Sequence, residues 1–181
     1  MISGPSGVGK STLVTDALSS LDGFQKSVSA TTRPPRNHEV NGVHYWFLKE
    51  EEFKEMIFRD QFLEWANYLG YYYGTLRQAV EDSLDAGINI ILEIEVMGAM
   101  QVKKAYQGAY LIFITVMPTS HLLERLNKRG TETEEEIEKR VASAIGELAY
   151  QKEYNCIIVN NNYNEALKNL KDVLIQKGGL R

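Results

Sequence analysis

Length, composition and charge exclude several classes of protein. The 181 residues, 44% of them hydrophobic, suit one domain with a sizeable core. The formal net charge of −4 argues against a general nucleic-acid binder, and the single cysteine excludes an internal disulfide framework. Because no apolar run is long enough to span a membrane and no signal peptide is recognisable, we expect a cytoplasmic protein that binds neither nucleic acid nor membranes.

The first part of the chain alternates between regular elements and breaker-rich loops. A helix is predicted over 10–20, after a glycine-rich stretch, and QKSVSA predicts a short strand over 25–30. TTRPPRNHEVNG (31–42) is rich in proline, asparagine and glycine, which indicates a loop.

Short elements fill the next segment. VHYWFL (43–48) and FLEWA (62–66) predict strands, with a helix between them over 50–58. YYYG then precedes a helix over 75–87. The short, polar-alternating strands of residues 31–75 predict a small inserted lobe.

Apolar runs and helices alternate along the remainder. INIILEIE (88–95) and AYLIFITV (109–116) are typical of strands covered on both faces. This alternation predicts an α/β fold with a parallel sheet flanked by helices. The last predicted elements are helices over 119–127, 133–153 and 163–176, and a strand over 156–161.

The opening GPSGVGKS fits the phosphate-binding pattern G-x-x-x-x-G-K-[ST], the P-loop. Glycines let successive backbone N–H groups turn inward around an anion at the positive end of the following helix. The lysine places a cation on the β- and γ-phosphates, and the serine hydroxyl suits Mg²⁺. The loop consists of Gly4, Pro5, Ser6, Gly7, Val8, Gly9, Lys10 and Ser11.

A second anion site is predicted in the inserted lobe. Arg33 and Arg36 stand three apart, and the two prolines between them stiffen the loop, so their guanidinium groups suit a phosphate clamp. Tyr45 and Tyr73 each offer a hydroxyl to the same phosphate, although each also fits a half-buried sheet aromatic.

Glu64 is an unusual carboxylate between Leu63 and Trp65. An ionised glutamate in such company needs hydrogen-bond donors, and the N1–H and N2–H₂ groups of guanine supply two. The alternative is an outward-facing strand residue, which the alternation favours equally.

Three segments together resemble guanylate kinase, the P-loop enzyme family that transfers a phosphoryl group from ATP to GMP. They are SATTRPPRNHEVNGVHYWF, FLEWANYLGYYYGT and RLNKRGTETEEEIEKR, and with the P-loop the match is collinear over nearly the whole chain. The resemblance implies Mg²⁺ as cofactor, activity on GMP and also dGMP, and a role in GTP and dGTP supply. The oligomeric state is not implied.

The resemblance also implies roles for individual residues. The ATP site comprises residues 4–11 and Asn160, with Ser11 on Mg²⁺. The GMP site comprises Ser29, Arg33, Arg36, Tyr45, Glu64, Tyr73, Thr75 and Glu95. The catalytic residues are Lys10, Arg33, Arg125, Arg129 and Arg140. One guanylate-kinase-like domain is expected, with a core (1–30, 76–119 and 141–181), a GMP-binding lobe (31–75) and a helical lid (120–140).

The chain departs from the family's pattern at three places, one of which is NNN (160–162), where the family has an asparagine followed by acidic residues. Glu93 and Glu95 stand where the family has at least one aspartate, and either suits a water ligand of magnesium or the guanine. Only three residues precede Gly4, where the family has an apolar strand, so this strand is very short or the stated start lies inside the natural one.

Two other functions remain open at the level of sequence. A guanylate-kinase-like scaffold module would bind proteins without catalysis, but it would be expected to lose Lys10 or the lid arginines. A P-loop kinase for another small phosphate acceptor would keep both and change the residues around the base.

Overall fold

The computed structural model describes residues 1–122 and 134–179, with residues 134–140 as backbone only. Contacts between Cα atoms divide the chain into two units, residues 1–23 with 110–181 and residues 24–109. The strands are β1 (Ile2–Ser3), β2 (Phe24–Lys26), β3 (Ala30–Thr31), β4 (Trp46–Phe47), β5 (Phe62–Tyr68), β6 (Tyr71–Leu76), β7 (Asn89–Ile91), β8 (Ile112–Thr115) and β9 (Cys156–Val159). The longer helices among the described residues are α1 (Lys10–Leu18), α2 (Glu50–Phe58), α3 (Arg77–Asp85), α4 (Val96–Ala105), α5 (Glu134–Leu148) and α6 (Tyr163–Gly178), and a 3₁₀ helix covers Gln151–Glu153.

The first unit contains a three-stranded parallel sheet in the order β1–β8–β9. All four residues of β8 are buried, as expected for a central strand that is covered on both faces. Helix α1 packs against α6, and α6 packs against β9. The buried Leu13 and Val14 of α1 and Leu170 of α6 belong to this unit's core.

The second unit contains two sheets. Strands β2 and β7 form a parallel pair. The other sheet is mixed, in the order β4–β3–β6–β5, with β3 parallel to β4 and the other pairs antiparallel. Its core is built on Ala30, Phe53 and Phe62, and the rings of the two phenylalanines stack at 4.2 Å between centroids.

The structure corrects three predicted elements. The strand predicted over 25–30 divides into β2 and β3, which belong to different sheets, and the strand predicted over 43–48 is reduced to β4. The apolar run over 88–95 is a strand only in β7, and the helix α4 that follows was not predicted. Its sequence VMGAMQVKKA begins with valine and contains glycine, both of which are weak helix formers.

Strand β6 is a further element that the sequence analysis missed. It pairs with β5 across a two-residue turn, in which Leu69 and Gly70 have φ of 51° and 86°. Hairpin turns of this kind are usually signalled by Asn-Gly or Asp-Gly, and leucine is rare at positive φ. The turn therefore lacked the usual signal.

The predicted fold class is confirmed: a parallel sheet flanked by helices, and a separate mixed-β lobe. Residues 119–122 begin a helix as predicted, but most of the predicted lid (120–140) falls outside the residues whose side chains are described. Among the described residues, no helix combines the length and the apolar character that crossing a membrane requires.

Candidate active site

The glycine-rich loop joins β1 to α1 in the first unit. Gly4, Gly7 and Gly9 have φ of 142°, 86° and 87°, values that residues with side chains rarely adopt. Gly4 is also confined by space, because a Cβ atom on it would lie 1.9 Å from the carbonyl oxygen of Ile114 on β8. Glycine at this position lets the loop lie directly against the central strand.

Lys10 begins α1 and folds back onto the loop. Its ammonium group donates hydrogen bonds to the carbonyl oxygens of Gly4 and Pro5. The residue that caps α1 is Gly9, which has no side chain to bond the N–H groups of the first turn. These N–H groups and the Lys10 cation together suit an anion.

Asn160 holds the loop from the end of β9. Its buried side-chain Nδ2 donates to the carbonyl oxygen of Val8 at 2.7 Å, and its backbone N–H donates to the carbonyl of Thr115 at 2.7 Å. A Cβ atom on Gly9 would lie 2.8 Å from Nδ2, so this contact also depends on a glycine. Asn160 therefore fixes the loop's backbone to the sheet.

In the second unit, three of the predicted phosphate ligands come together. The guanidinium carbon of Arg33 lies 5.6 Å from the centroid of the Tyr45 ring, and the Tyr45 and Tyr73 rings stand edge to face at 6.2 Å. The side chain of Arg36 is exposed nearby, and its backbone N–H donates to Glu39 at 2.7 Å.

Glu39 is a residue of this cluster that the sequence analysis did not single out. Nη2 of Arg33 donates to its two carboxylate oxygens at 2.8 and 3.0 Å, and these bonds hold the pKa of Glu39 at about 2. The same contact raises the pKa of Arg33. The sequence signal that could have identified Glu39 is its position as an acidic residue six residues after Arg33 in a proline-stiffened loop. Glu39 thus fixes the direction of the Arg33 guanidinium.

Glu64 lies on β5 with only 4% of its surface exposed. Its Oε1 accepts a hydrogen bond of 2.6 Å from the hydroxyl of Thr75, the residue opposite it on β6. Burial raises the pKa of Glu64 to about 7, the Thr75 bond opposes that rise, and the charge of Glu95 adds to it. The structure thus pairs two of the predicted guanine ligands and makes the outward-facing alternative for Glu64 wrong.

The remaining acids differ in their surroundings. Glu93 forms an ion pair with Lys26, with 2.5 Å between Oε2 and Nζ. Glu95 directly precedes α4 as its N-cap residue, and its charge acts on Glu64. Ser29 is half-buried just before β3, where its carbonyl accepts a hydrogen bond from the backbone of Trp46 at 2.9 Å.

Comparison with known proteins assigns the chain to a family. The family model described as guanylate kinase matches residues 1–177. The chain belongs to the guanylate kinase family. The guanylate kinase of Desulfitobacterium hafniense (strain Y51) is 47% identical over 175 residues, which cover 97% of this chain and 88% of that protein. The guanylate kinase of Escherichia coli (strain K12) is 44% identical over 176 residues, covering 96% and 85%.

A solved guanylate kinase has the same fold. The crystal structure of guanylate kinase from Anaplasma phagocytophilum matches with a TM-score of 0.80 at 26% identity. The match covers 98% of this chain and 85% of that one. The resemblance drawn from the sequence motifs is confirmed.

The side chains of the three arginines that the guanylate kinase resemblance places in or beside the lid lie outside the part of the chain that the structure describes. Arg125 and Arg129 lie outside the described residues. Arg140 lies on α5, at the end of residues 134–140, for which the structure describes the backbone alone.

Proposed function

We propose that this chain transfers the γ-phosphoryl group of ATP to GMP, giving ADP and GDP, and that it also accepts dGMP. Its membership of the guanylate kinase family supports this activity. The observation that carries the proposal is that one mixed sheet bears a buried carboxylate, Glu64, and an arginine–tyrosine cluster around Arg33. These two features suit the base and the phosphate of one nucleotide.

Guanine is the base that suits Glu64. Its N1–H and N2–H₂ donors are adjacent, so one carboxylate can accept from both, while adenine presents an unprotonated N1 and no 2-amino group. Thr75 holds Oε1 at 2.6 Å, which fixes the carboxylate. Ser29 and Thr75 are proposed to complete the guanine site, together with Glu95.

The acceptor phosphate is assigned to Arg33, Arg36, Tyr45 and Tyr73. Charge-assisted bonds from guanidinium groups are the strongest hydrogen bonds available to a phosphate. Glu39 already holds Arg33 in one orientation through two bonds, so little side-chain freedom remains to be lost when the phosphate binds. Burial raises the pKa of Tyr45 to about 12, so its hydroxyl remains a donor.

The ATP phosphates are assigned to residues 4–11, with Lys10 on the β- and γ-phosphates. Asn160, which holds the loop through Val8, is included in this site. Mg²⁺ fits here, because Ser11, an exposed residue on the first turn of α1, carries a hydroxyl oxygen, which is a hard ligand, and this ion takes most of its other ligands from water and phosphates. When bound, the ion neutralises charge on the phosphates.

The chemistry needs no protein nucleophile. An oxygen of the GMP phosphate attacks the γ-phosphorus in line, and the bond from that phosphorus to the bridging oxygen of ADP breaks. Lys10 and Arg33 stabilise the charge that spreads over the transferred group. Arg125, Arg129 and Arg140 are proposed to do the same from a lid over residues 120–140.

We propose that the chain forms one guanylate-kinase-like domain with a core, a GMP-binding lobe and the lid. The core comprises residues 1–30, 76–119 and 141–181, and the GMP-binding lobe comprises residues 31–75. The mixed sheet supports this lobe, because β3 begins at Ala30 and β6 ends at Leu76, close to its two boundaries.

A coupled assay of ADP release tests the activity. ATP is offered with GMP, dGMP, AMP, UMP or dTMP in turn, and turnover with GMP and dGMP alone is expected. Turnover with a different acceptor would favour the other P-loop kinase. No turnover with any acceptor, together with retained GMP binding, would favour the scaffold module.

A further inference from the structure

Gly98 in the first turn of α4 lies against the carboxylate of Glu64. A Cβ atom on Gly98 would lie 2.0 Å from Oε2 of Glu64 and 2.8 Å from its carboxyl carbon. The space that any side chain at position 98 would need is therefore filled by this carboxylate. Gly98 itself is buried.

Backbone conformation does not account for this glycine. Gly98 lies inside a helix and is not among the glycines with positive φ, so any residue could adopt its backbone conformation. Glycine is the weakest helix former other than proline, and alanine would favour the helix at this position. The reason for glycine is therefore the space beside it.

Helix α4 cannot easily withdraw from β5 to make room. One turn after Gly98, the side-chain amide of Gln101 bonds both backbone groups of Trp65: its Nε2 donates to the carbonyl at 2.8 Å, and its Oε1 accepts from the N–H at 3.2 Å. Val96, Ala99 and Val102 of the helix are buried as well.

The carboxylate cannot easily turn away either. Its Oε1 is held by Thr75 at 2.6 Å, and the strand that carries it is paired with β6 on either side of Glu64. A side chain at position 98 would break the Thr75 bond or move the oxygens of Glu64 from their present positions.

We infer that Gly98 is a positioning residue for guanine recognition, since its missing side chain lets the Glu64 carboxylate lie against α4. This inference rests on the proposed contact between Glu64 and the guanine base. Gly98 acts through Glu64 and makes no contact with substrate of its own.

A double-mutant cycle tests the inference. Gly98→Ala is made in the parent chain and in Glu64→Asp, whose carboxylate is one methylene further from α4. In the parent chain it should lower kcat/KM for GMP by roughly 100-fold, as expected for a misplaced recognition group, and leave KM for ATP unchanged. In Glu64→Asp it should cost less than about threefold, because the clash is gone.

Gly146→Ala is the matched control. Gly146 also lies inside a helix, α5, but a Cβ atom there would meet nothing within 4 Å. Gly146→Ala brings the same gain in helix propensity as Gly98→Ala and should keep the parent's kcat/KM for GMP.

The cycle separates two kinds of failure. If Gly98→Ala costs the same in both backgrounds, Gly98 does not act through Glu64 and the inference is wrong. If Glu64→Ala keeps the parent's preference for GMP over AMP, the proposed guanine contact is wrong, and the inference fails with it.

A second pair of variants covers the case in which Gly98→Ala does not fold. In Glu64→Ala the carboxylate is absent, and a methyl group at position 98 fills part of the vacated space. Adding Gly98→Ala should therefore lower Tm in the parent chain and leave it equal or higher in Glu64→Ala. A similar drop in Tm in both backgrounds would overturn the inference.

Discussion

At the scale of single residues, Glu64 binds a proton more tightly in the folded chain than in the unfolded one. Its pKa is raised from 4.5 to about 7, chiefly by burial. Between these two pH values the folded state keeps a proton that the unfolded state has lost, so the stability of the apo protein falls as pH rises from 4.5 to 7. Above pH 7 this contribution is constant. A shift of this size corresponds to about 3 kcal/mol.

Glu64→Gln should therefore raise the free energy of unfolding of the apo protein at pH 8, by up to about 3 kcal/mol. The amide oxygen can still accept from Thr75, but no charge is buried. Urea unfolding at pH 4.5, 7 and 8 measures the effect, and the gain should disappear at pH 4.5. Equal stability of variant and parent at pH 8 would contradict the burial argument.

Base selection is the second expected consequence of Glu64. Glu64→Ala should lower kcat/KM for GMP by roughly 10²–10⁴, the scale of losing a charged hydrogen-bonding partner. AMP lacks both donors, so its poor kcat/KM should change little. Steady-state kinetics with both nucleotides measure the ratio. If Glu64→Ala keeps the full preference for GMP, Glu64 does not bind the guanine base, and Glu95 is the next candidate.

At the scale of elements, the P-loop combines a strand end, a tight loop and a helix start. Gly4 lies against β8 where no Cβ fits, Asn160 holds Val8 from β9, and Lys10 folds over the loop from α1. These contacts hold the loop to the parallel sheet. Contacts that hold a loop in one conformation lower the entropic cost of binding a ligand there.

Lys10→Ala should lower kcat by at least about 100-fold, because the cation serves the transferred phosphoryl group. GMP affinity, measured by calorimetry, should be nearly unchanged, since its proposed ligands belong to the other unit. Lys168→Ala, an exposed lysine on α6, is the control and should keep the parent's turnover. Parent-like turnover in Lys10→Ala would exclude the P-loop kinase mechanism.

At the scale of the whole molecule, phosphoryl transfer requires two nucleotides to meet. ATP is assigned to the first unit and GMP to the mixed sheet of the second, and the reacting atoms must come within about 3–3.5 Å. We therefore expect the GMP-binding lobe and the lid to close when both nucleotides bind, excluding water and limiting hydrolysis of ATP.

Small-angle scattering measures this closure. A bisubstrate analogue that joins ATP to GMP should reduce the radius of gyration relative to the apo protein, and GMP alone should reduce it less. Glu64→Ala at the same analogue concentration is a control with weakened binding of the base. An unchanged radius of gyration with the analogue bound would contradict the expected closure.

Features set by neighbouring residues were determined by the sequence itself. The P-loop is eight consecutive residues whose glycines and lysine act through local backbone geometry, and helix α2 has the predicted bounds because its pattern is local. The buried strand β8 follows from an apolar run in which Thr115 is the one polar residue of the strand. Membership of the guanylate kinase family could also be determined from the sequence, because the family's motifs are contiguous segments.

Features that depend on contacts between distant residues were decided only by the tertiary structure. The burial of Glu64 arises from Thr75 on β6 and Gly98 on α4, 11 and 34 residues away along the chain. The alternation of residues along β5 could not predict the burial of Glu64, because the sequence of one strand does not show which elements pack on each of its faces. Gly98 resembles any weak helix residue until the carboxylate beside it is seen. Glycine is required at position 98 for a steric reason, and a steric clash arises only between atoms that folding brings together.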